Sequence, residues 1–247
     1  MHAAVVSLHR QGPVHPQAQA CARCELRRLA LFGTLSEQAL DCIHVHIAAQ
    51  RLEPGQALYD IGQQAETLFT VRSGVVRLER VNASGERRVV RLAGRGDLIG
   101  LEALLKQPYG STALASTPLE VCRIPRGLVA ELSQSHSGLA TALMQRWQHA
   151  LAQAEEWLAE LSMGPAQRRV LRLVHKLSQY AQGDEQQPWI WLPTRGDIGA
   201  MLNMSMETAS RAISALRRQG VLLQVEPQRA RLDLALLQAS LRSDERG

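Results

Sequence analysis

PTRGDIGAMLNMSMETASRAISALRRQG, residues 193–220, decides the reading of this chain. It divides into two short helices separated by a tight break. Thr194 can cap the first helix, and Asp197, three residues on, completes a capping-box-like pair. Ile198, Met201 and Leu202 recur at helical spacing before Asn203 and Met204 interrupt. Ser205 can cap a second helix running to about Gln219, where Gly220 supplies the stop. Ala209, Ala212, Ile213 and Leu216 form its apolar face. Glu207, Ser210 and Arg211 then share the opposite face early in the helix, because residues three and four apart are neighbours.

Two capped helices in this order suit entry of the second into the major groove, with its N-terminal side chains at base edges. Arg can bond guanine O6 and N7 bidentately, Glu can accept from cytosine N4, and Ser can bond either base. Arg217 and Arg218, further along, suit phosphate contacts, as do the capping positions Thr194 and Ser205. A single helix with one Glu–Arg pair is more often a solvated face. The partner helix and the two caps favour DNA reading here.

TRGDIGAMLNMSMETASRAISALRRQGVL, residues 194–222, resembles the winged helix-turn-helix of the bacterial Crp/Fnr transcription regulators. Within them it is most similar to the branch of the fumarate–nitrate reduction regulator. The run E-T-A-S-R, Glu207–Arg211, matches that branch's base-reading Glu, Ser and Arg. The resemblance extends from Cys21 to about Leu241. It implies a homodimer on a TTGAT-like palindrome, double-stranded DNA and RNA polymerase as partners, and action as an activator.

A chain of 247 residues with a formal charge of +5 can form one or two domains with a sizeable core. The basic balance suits a polyanion partner without requiring one. No run of 18 apolar residues exists, so no transmembrane helix is expected. The start, MHAAVVSLHRQGPVHPQAQA, lacks the apolar core of a signal peptide and reads as a flexible arm. A cytoplasmic protein is expected. No nucleophile elbow, phosphate loop or HExxH occurs, so the chain does not read as an enzyme.

Four cysteines, Cys21, Cys24, Cys42 and Cys122, do not make a disulfide framework in a chain this long. Cys21-Ala-Arg-Cys24 is a C-x-x-C, open to zinc, redox or no role at all. Four is also the number that ligates a [4Fe–4S] cluster. By resemblance, the oxygen-sensing branch uses an N-terminal C-x2-C-x5-C and one distant cysteine. Cys21 and Cys24 match its first two positions and Cys122 its distant one. The third position falls on Ala30, which cannot ligate, leaving Cys42 as the replacement. Cys42 lies in SEQALDCIHV, a helix capped by Ser36, where a cysteine is also at home as a small buried hydrophobe. The expected signal is oxygen, redox state or nitric oxide. Haem (with His44 and His46 nearby), a thiol–disulfide switch and a small ligand are the alternatives.

From Ile47 the pattern changes to short alternating runs: ALYDIG, TLFTVRSG, VVRLERVN, RRVVRLAG, DLIGLEALL and LEVCRIP. Pro54-Gly55 and Ala83-Ser84-Gly85 read as turns. Such spacing predicts a small antiparallel barrel or jelly roll. The resemblance implies the β-roll of cyclic-nucleotide-binding domains. The relatives that bind the nucleotide carry an Arg-Ser or Arg-Thr pair for its phosphate. QPYGSTALAS has Gly110 at the arginine's place, so cyclic-nucleotide binding is not expected.

Ala140, Met144, Trp147, Leu151, Ala154, Leu158 and Leu161 step by four and three, an a/d seam for a helix paired with its own copy. No seam position is charged, and Ala154 stands where some cluster-containing relatives have an acid. A dimer that persists without metal is expected. Ser162–Pro165 breaks this helix. Beyond it come AQRRVLRLVHKLSQYAQ as an amphipathic helix, the loop 183–188, the short strand WIWL, and a hairpin wing about Glu226-Pro227-Gln228 with Arg229 and Arg231 towards phosphates. The fold class is therefore α+β. Its divisions are an arm at 1–31, a β-roll at 32–136, a dimer helix at 137–163 and a winged helix-turn-helix at 164–247.

Overall fold

The computed structural model describes residues 46–181 and 183–244. Cys21, Cys24 and Cys42, Ala30 and the helix around SEQALDCIHV lie outside them. Within the described residues the chain is α+β, as its patterning predicts.

Eight strands make two four-stranded antiparallel sheets. They are β1 (Ala48–Leu52), β2 (Ala57–Tyr59), β3 (Thr67–Ser73), β4 (Val76–Val81), β5 (Arg87–Ala93), β6 (Leu98–Ile99), β7 (Thr112–Ala115) and β8 (Leu119–Pro125). The sheet orders are β1-β8-β3-β6 and β2-β7-β4-β5. A 3-10 turn, Leu101–Leu105, follows β6. Leu68, Val71, Val76, Ala113 and Val121 are fully buried between the layers. Tyr59 stacks on Tyr109 at 3.8 Å between ring centroids, and on Phe69 at 5.7 Å.

Strands β1 and β7 were not marked by the sequence pattern. β1 is an edge strand and mostly exposed, so its residues, AAQRL, show no apolar alternation. β7 is TALA, whose buried residues are two alanines that carry little hydropathy signal.

The β4–β5 turn is built by Asn82, whose Oδ1 accepts from the Ser84 and Glu86 amides at 3.0 and 2.8 Å, while Gly85 takes φ +82°. By packing, the chain forms two units. Of the described residues, one holds those up to Leu78 and Leu92–Leu151; the other holds Glu79–Arg91 with those from Ala152 on. The outer half of this hairpin thus belongs with the C-terminal part of the chain.

Helix α1 (Arg126–Ser135) follows β8, and α2 (Ser137–Leu161) is the long helix expected at 137–163. Met144, Trp147, Leu151 and Leu158 are exposed, Leu158 at 67%. Ala140 is exposed and Ala154 half-buried. Leu161 departs from the seam. It is only 2% exposed, and with Trp157, one turn earlier and 6% exposed, it packs inside its own chain. The polar side of α2 is tied down as well. His149 Nε2 lies 3.3 Å from Asp97, and Gln153 Oε1 accepts from Arg91 Nε at 2.9 Å.

Gly164 (φ +93°) and Pro165 separate α2 from α3 (Ala166–Ser178). Then come β9 (Trp189–Trp191), α4 (Arg195–Leu202), α5 (Met206–Arg218), β10 (Leu222–Glu226), β11 (Arg229–Leu232) and α6 (Leu234–Asp244). The last sheet has the order β10-β11-β9. α5 lies against α3, α4 and β10, burying Ala209, Ala212, Ile213 and Leu216 beside Val170, Val174 and Leu177.

Candidate nucleic-acid interface

Helix α4 starts because Thr194 Oγ1 accepts the Asp197 amide at 3.1 Å. The same hydroxyl donates to Asp197 Oδ2 at 2.7 Å, closing the pair that the T-x-x-D spacing predicts. α4 ends at Asn203, left-handed at φ +52°, whose amide reaches back to the Gly199 carbonyl. Ser205 Oγ then accepts the Thr208 amide at 3.2 Å and starts α5. Gly220 (φ +78°) follows its last turn. The hydroxyls of Thr194 and Ser205 are therefore engaged at the helix starts, and a phosphate contact at either shares these bonds.

With one face of α5 buried, the other presents Glu207, Ser210 and Arg211 to solvent. Arg211 Nη2 lies 3.7 Å from Glu207 Oε2, and the side chains are 76% and 85% exposed. A pair so exposed contributes little, so both ends can turn to other partners. Arg217 and Arg218 are exposed on the last turn. In the wing, Arg229 donates to Glu226 at 2.6 Å and lies 4.6 Å over the Trp189 ring, and Arg231 is half-buried.

Two residues at this site escaped the sequence reading. Gly199 sits inside α4, where a Cβ would stand 2.6 Å from the Met204 carbonyl oxygen, so the two helices close only over glycine. The signal was present: a glycine inside a helical pattern marks close packing. The other is Arg87 on β5. Its Nη1 donates to Glu79 at 2.8 Å and its Nη2 to Asp197 at 2.6 Å. Burial weakens its charge, but Asp197 and Glu79 outweigh that and hold its guanidinium pKa above the ordinary arginine value. No local pattern joins positions 87 and 197.

Cys122 lies in mid-β8, half-buried, opposite Ala49 of β1 and Thr70 of β3. Directly opposite residues share a face of the sheet. Both neighbours carry short side chains. Among the described residues no three His, Cys, Asp or Glu side chains gather as a metal site. The other three expected ligands, Cys21, Cys24 and Cys42, lie outside the described residues. In the roll, Glu102 Oε1 accepts the Gly110 amide at 3.1 Å. A carboxylate thus holds the turn at Gly110, the position that the family resemblance assigns to a phosphate-binding arginine.

No helix among the described residues is long and apolar enough to cross a membrane. Residues 49–136 match the cyclic nucleotide-binding domain, and residues 168–240 match the Crp-like helix-turn-helix domain. The chain is 28% identical over 205 residues to the anaerobic regulatory protein of Pasteurella multocida, covering 82% of this chain and 75% of that one. It is 27% identical over 205 residues to the fumarate and nitrate reduction regulatory protein of Yersinia pestis, covering 82% of each. FixK2 from Bradyrhizobium japonicum shares the fold at a TM-score of 0.69, with 24% identity over 78% of this chain and 96% of that one. A CRP/FNR-family transcriptional regulator from Thermus thermophilus does so at 0.63, with 22% identity over 79% and 98%. With these two domains in this order, the helix-turn-helix geometry above and relatives of this kind, the chain belongs to the Crp/Fnr family of DNA-binding transcription regulators.

Proposed function

We propose that this regulator acts as a homodimeric activator on a TTGAT-like palindrome, with Glu207, Ser210 and Arg211 reading bases. The observation that carries the reading is their shared exposure on α5, whose opposite face of Ala209, Ala212, Ile213 and Leu216 is buried. Palindromic DNA calls for a two-fold protein. The exposed apolar residues Met144, Trp147, Leu151 and Leu158 support self-pairing through α2. Thr194, Ser205, Arg217 and Arg218 border the base-reading face and suit phosphates. RNA polymerase is the expected protein partner of such an activator.

Replacing Arg211 by Ala removes the bidentate guanine contact and is expected to cost about 1–3 kcal/mol on the palindrome. Discrimination at one guanine should relax. Titration of labelled palindromic and random duplexes measures both quantities. Equal weakening on the two duplexes refutes base reading by Arg211.

The signal is proposed to be oxygen, redox state or nitric oxide, received through Cys21, Cys24, Cys42 and Cys122. A [4Fe–4S] cluster bound by them would supply redox and oxygen reactivity. Cys122 would anchor the N-terminal arm to β8, and Cys42 would take the place left by Ala30. The Glu102 carboxylate beside Gly110 disfavours a cyclic phosphate in the roll, which supports a signal from elsewhere. Anaerobic purification followed by iron and sulfide analysis tests the reading. About four irons per chain are expected, lost in the Cys42→Ala variant. An iron-free chain that still binds the palindrome moves the signal to thiol chemistry or another ligand.

A further inference from the structure

Arg87 bridges two carboxylates distant from each other in sequence. Glu79, on β4, is 8% exposed at its side chain, and Asp197, in the first turn of α4, is 14% exposed. Asp197 is occupied at both oxygens. Oδ1 accepts from Arg87 Nη2, and Oδ2 accepts from Thr194 Oγ1. Thr194 Oγ1 in turn accepts the Asp197 amide. Four side chains thus form one line, Glu79–Arg87–Asp197–Thr194, that ends at the N-terminus of α4.

We propose that Arg87 is a positioning residue for DNA binding. From the β4–β5 hairpin it fixes the Asp197 carboxylate, and through it the Thr194 hydroxyl and the start of α4. The inference rests on the reading that this helix-turn-helix grips DNA with Thr194 at a phosphate. Three physical arguments support it. First, Asp197 is an anion beside a phosphate-facing helix start, and Arg87 offsets that charge where it arises. Second, bonds to both carboxylate oxygens hold Asp197 in one rotamer, so the Thr194 hydroxyl keeps one orientation. Third, the arrangement needs a planar fork. One nitrogen serves Glu79 and another Asp197, which the single ammonium of a lysine cannot match. Because α4 packs against α5, a displaced α4 also shifts the base-reading face.

The experiment uses the full chain and a fluorescent TTGAT palindrome, titrated at several salt concentrations. Arg87→Ala is expected to weaken binding roughly tenfold or more, as loss of a hydrogen bond to a charged group does. The salt dependence should keep its slope. In a Thr194→Val background the Arg87→Ala loss should shrink, because the part of it that runs through the Thr194 hydroxyl is already gone. Unchanged affinity with a lowered melting temperature would make Arg87 merely structural and overturn the proposal. A slope reduced by about 0.9 overturns it too, because Arg87 itself would then neutralise a phosphate. So does a loss of undiminished size in the Thr194→Val background. If Arg87→Ala does not fold, Arg87→Lys carries the same readings. A wild-type chain that binds no duplex overturns the DNA reading and the proposal with it, and is recognisable before any variant is made.

Discussion

Truncating Leu158 to Ala separates the two jobs of α2. In the single chain Leu158 is 67% exposed, so it contributes little to the fold of its own protomer. In a dimer paired along the seam it becomes covered. Burying a whole leucine side chain is worth about 1.5–3 kcal/mol, and two-thirds of it about 1–2. Two-fold symmetry counts the residue twice, giving about 2–4 kcal/mol of dimer stability. At about 1.4 kcal/mol per factor of ten, the dimer dissociation constant should rise roughly thirty- to several-hundredfold. Since alanine keeps the β-carbon, the lower half of that range is expected. Sedimentation equilibrium measures the constant directly, and circular dichroism should report an unchanged helix content. Leu161→Ala is the control. That side chain is 2% exposed in its own protomer, so the substitution should cost about 2–5 kcal/mol of folding stability instead. A Leu158→Ala dissociation constant within threefold of wild type would refute pairing along this face.

Gly199→Ala places a methyl 2.6 Å from the Met204 carbonyl, which is backbone and cannot swing aside. The α4–α5 turn must open, and loss of operator binding with a lowered melting temperature is expected; an alanine variant that binds normally refutes the close-packing argument. The metal-free protein should remain dimeric at micromolar concentration, because no a/d position of the seam carries a charge to be buried opposite its copy. A monomer on sedimentation would refute that.

What could be read from the chain alone follows the range of the interactions. Thr194, Asp197, Ser205 and Gly220 act on neighbours three or four residues away, so local spacing marks both helices and their caps. The faces of α5 followed, because helical periodicity separates Ala209, Ala212, Ile213 and Leu216 from Glu207, Ser210 and Arg211. Leu161 marks where periodicity stops being informative. A heptad step places it on the seam, but the same hydrophobic residue serves an internal core equally well, and only the packing around Trp157 decides. β1 failed for the converse reason: an exposed edge strand need not alternate.

Arg87 lies beyond local reading altogether. Positions 79, 87 and 197 meet only once the β4–β5 hairpin has grouped with the C-terminal part of the chain. Its sequence surroundings, RRVVRLAG, mark a strand and nothing of its distant partner. Removing the guanidinium leaves two largely buried carboxylates, Glu79 and Asp197, without their shared cation. Breaking a buried pair in this way costs about 3–5 kcal/mol where burial is complete, and less where the arginine keeps some solvent. A penalty of that kind would fall on the start of α4, next to the face of α5 proposed to read bases. The residue with the least legible sequence signature therefore bears on the helix-turn-helix whose own sequence was the most legible part of the chain.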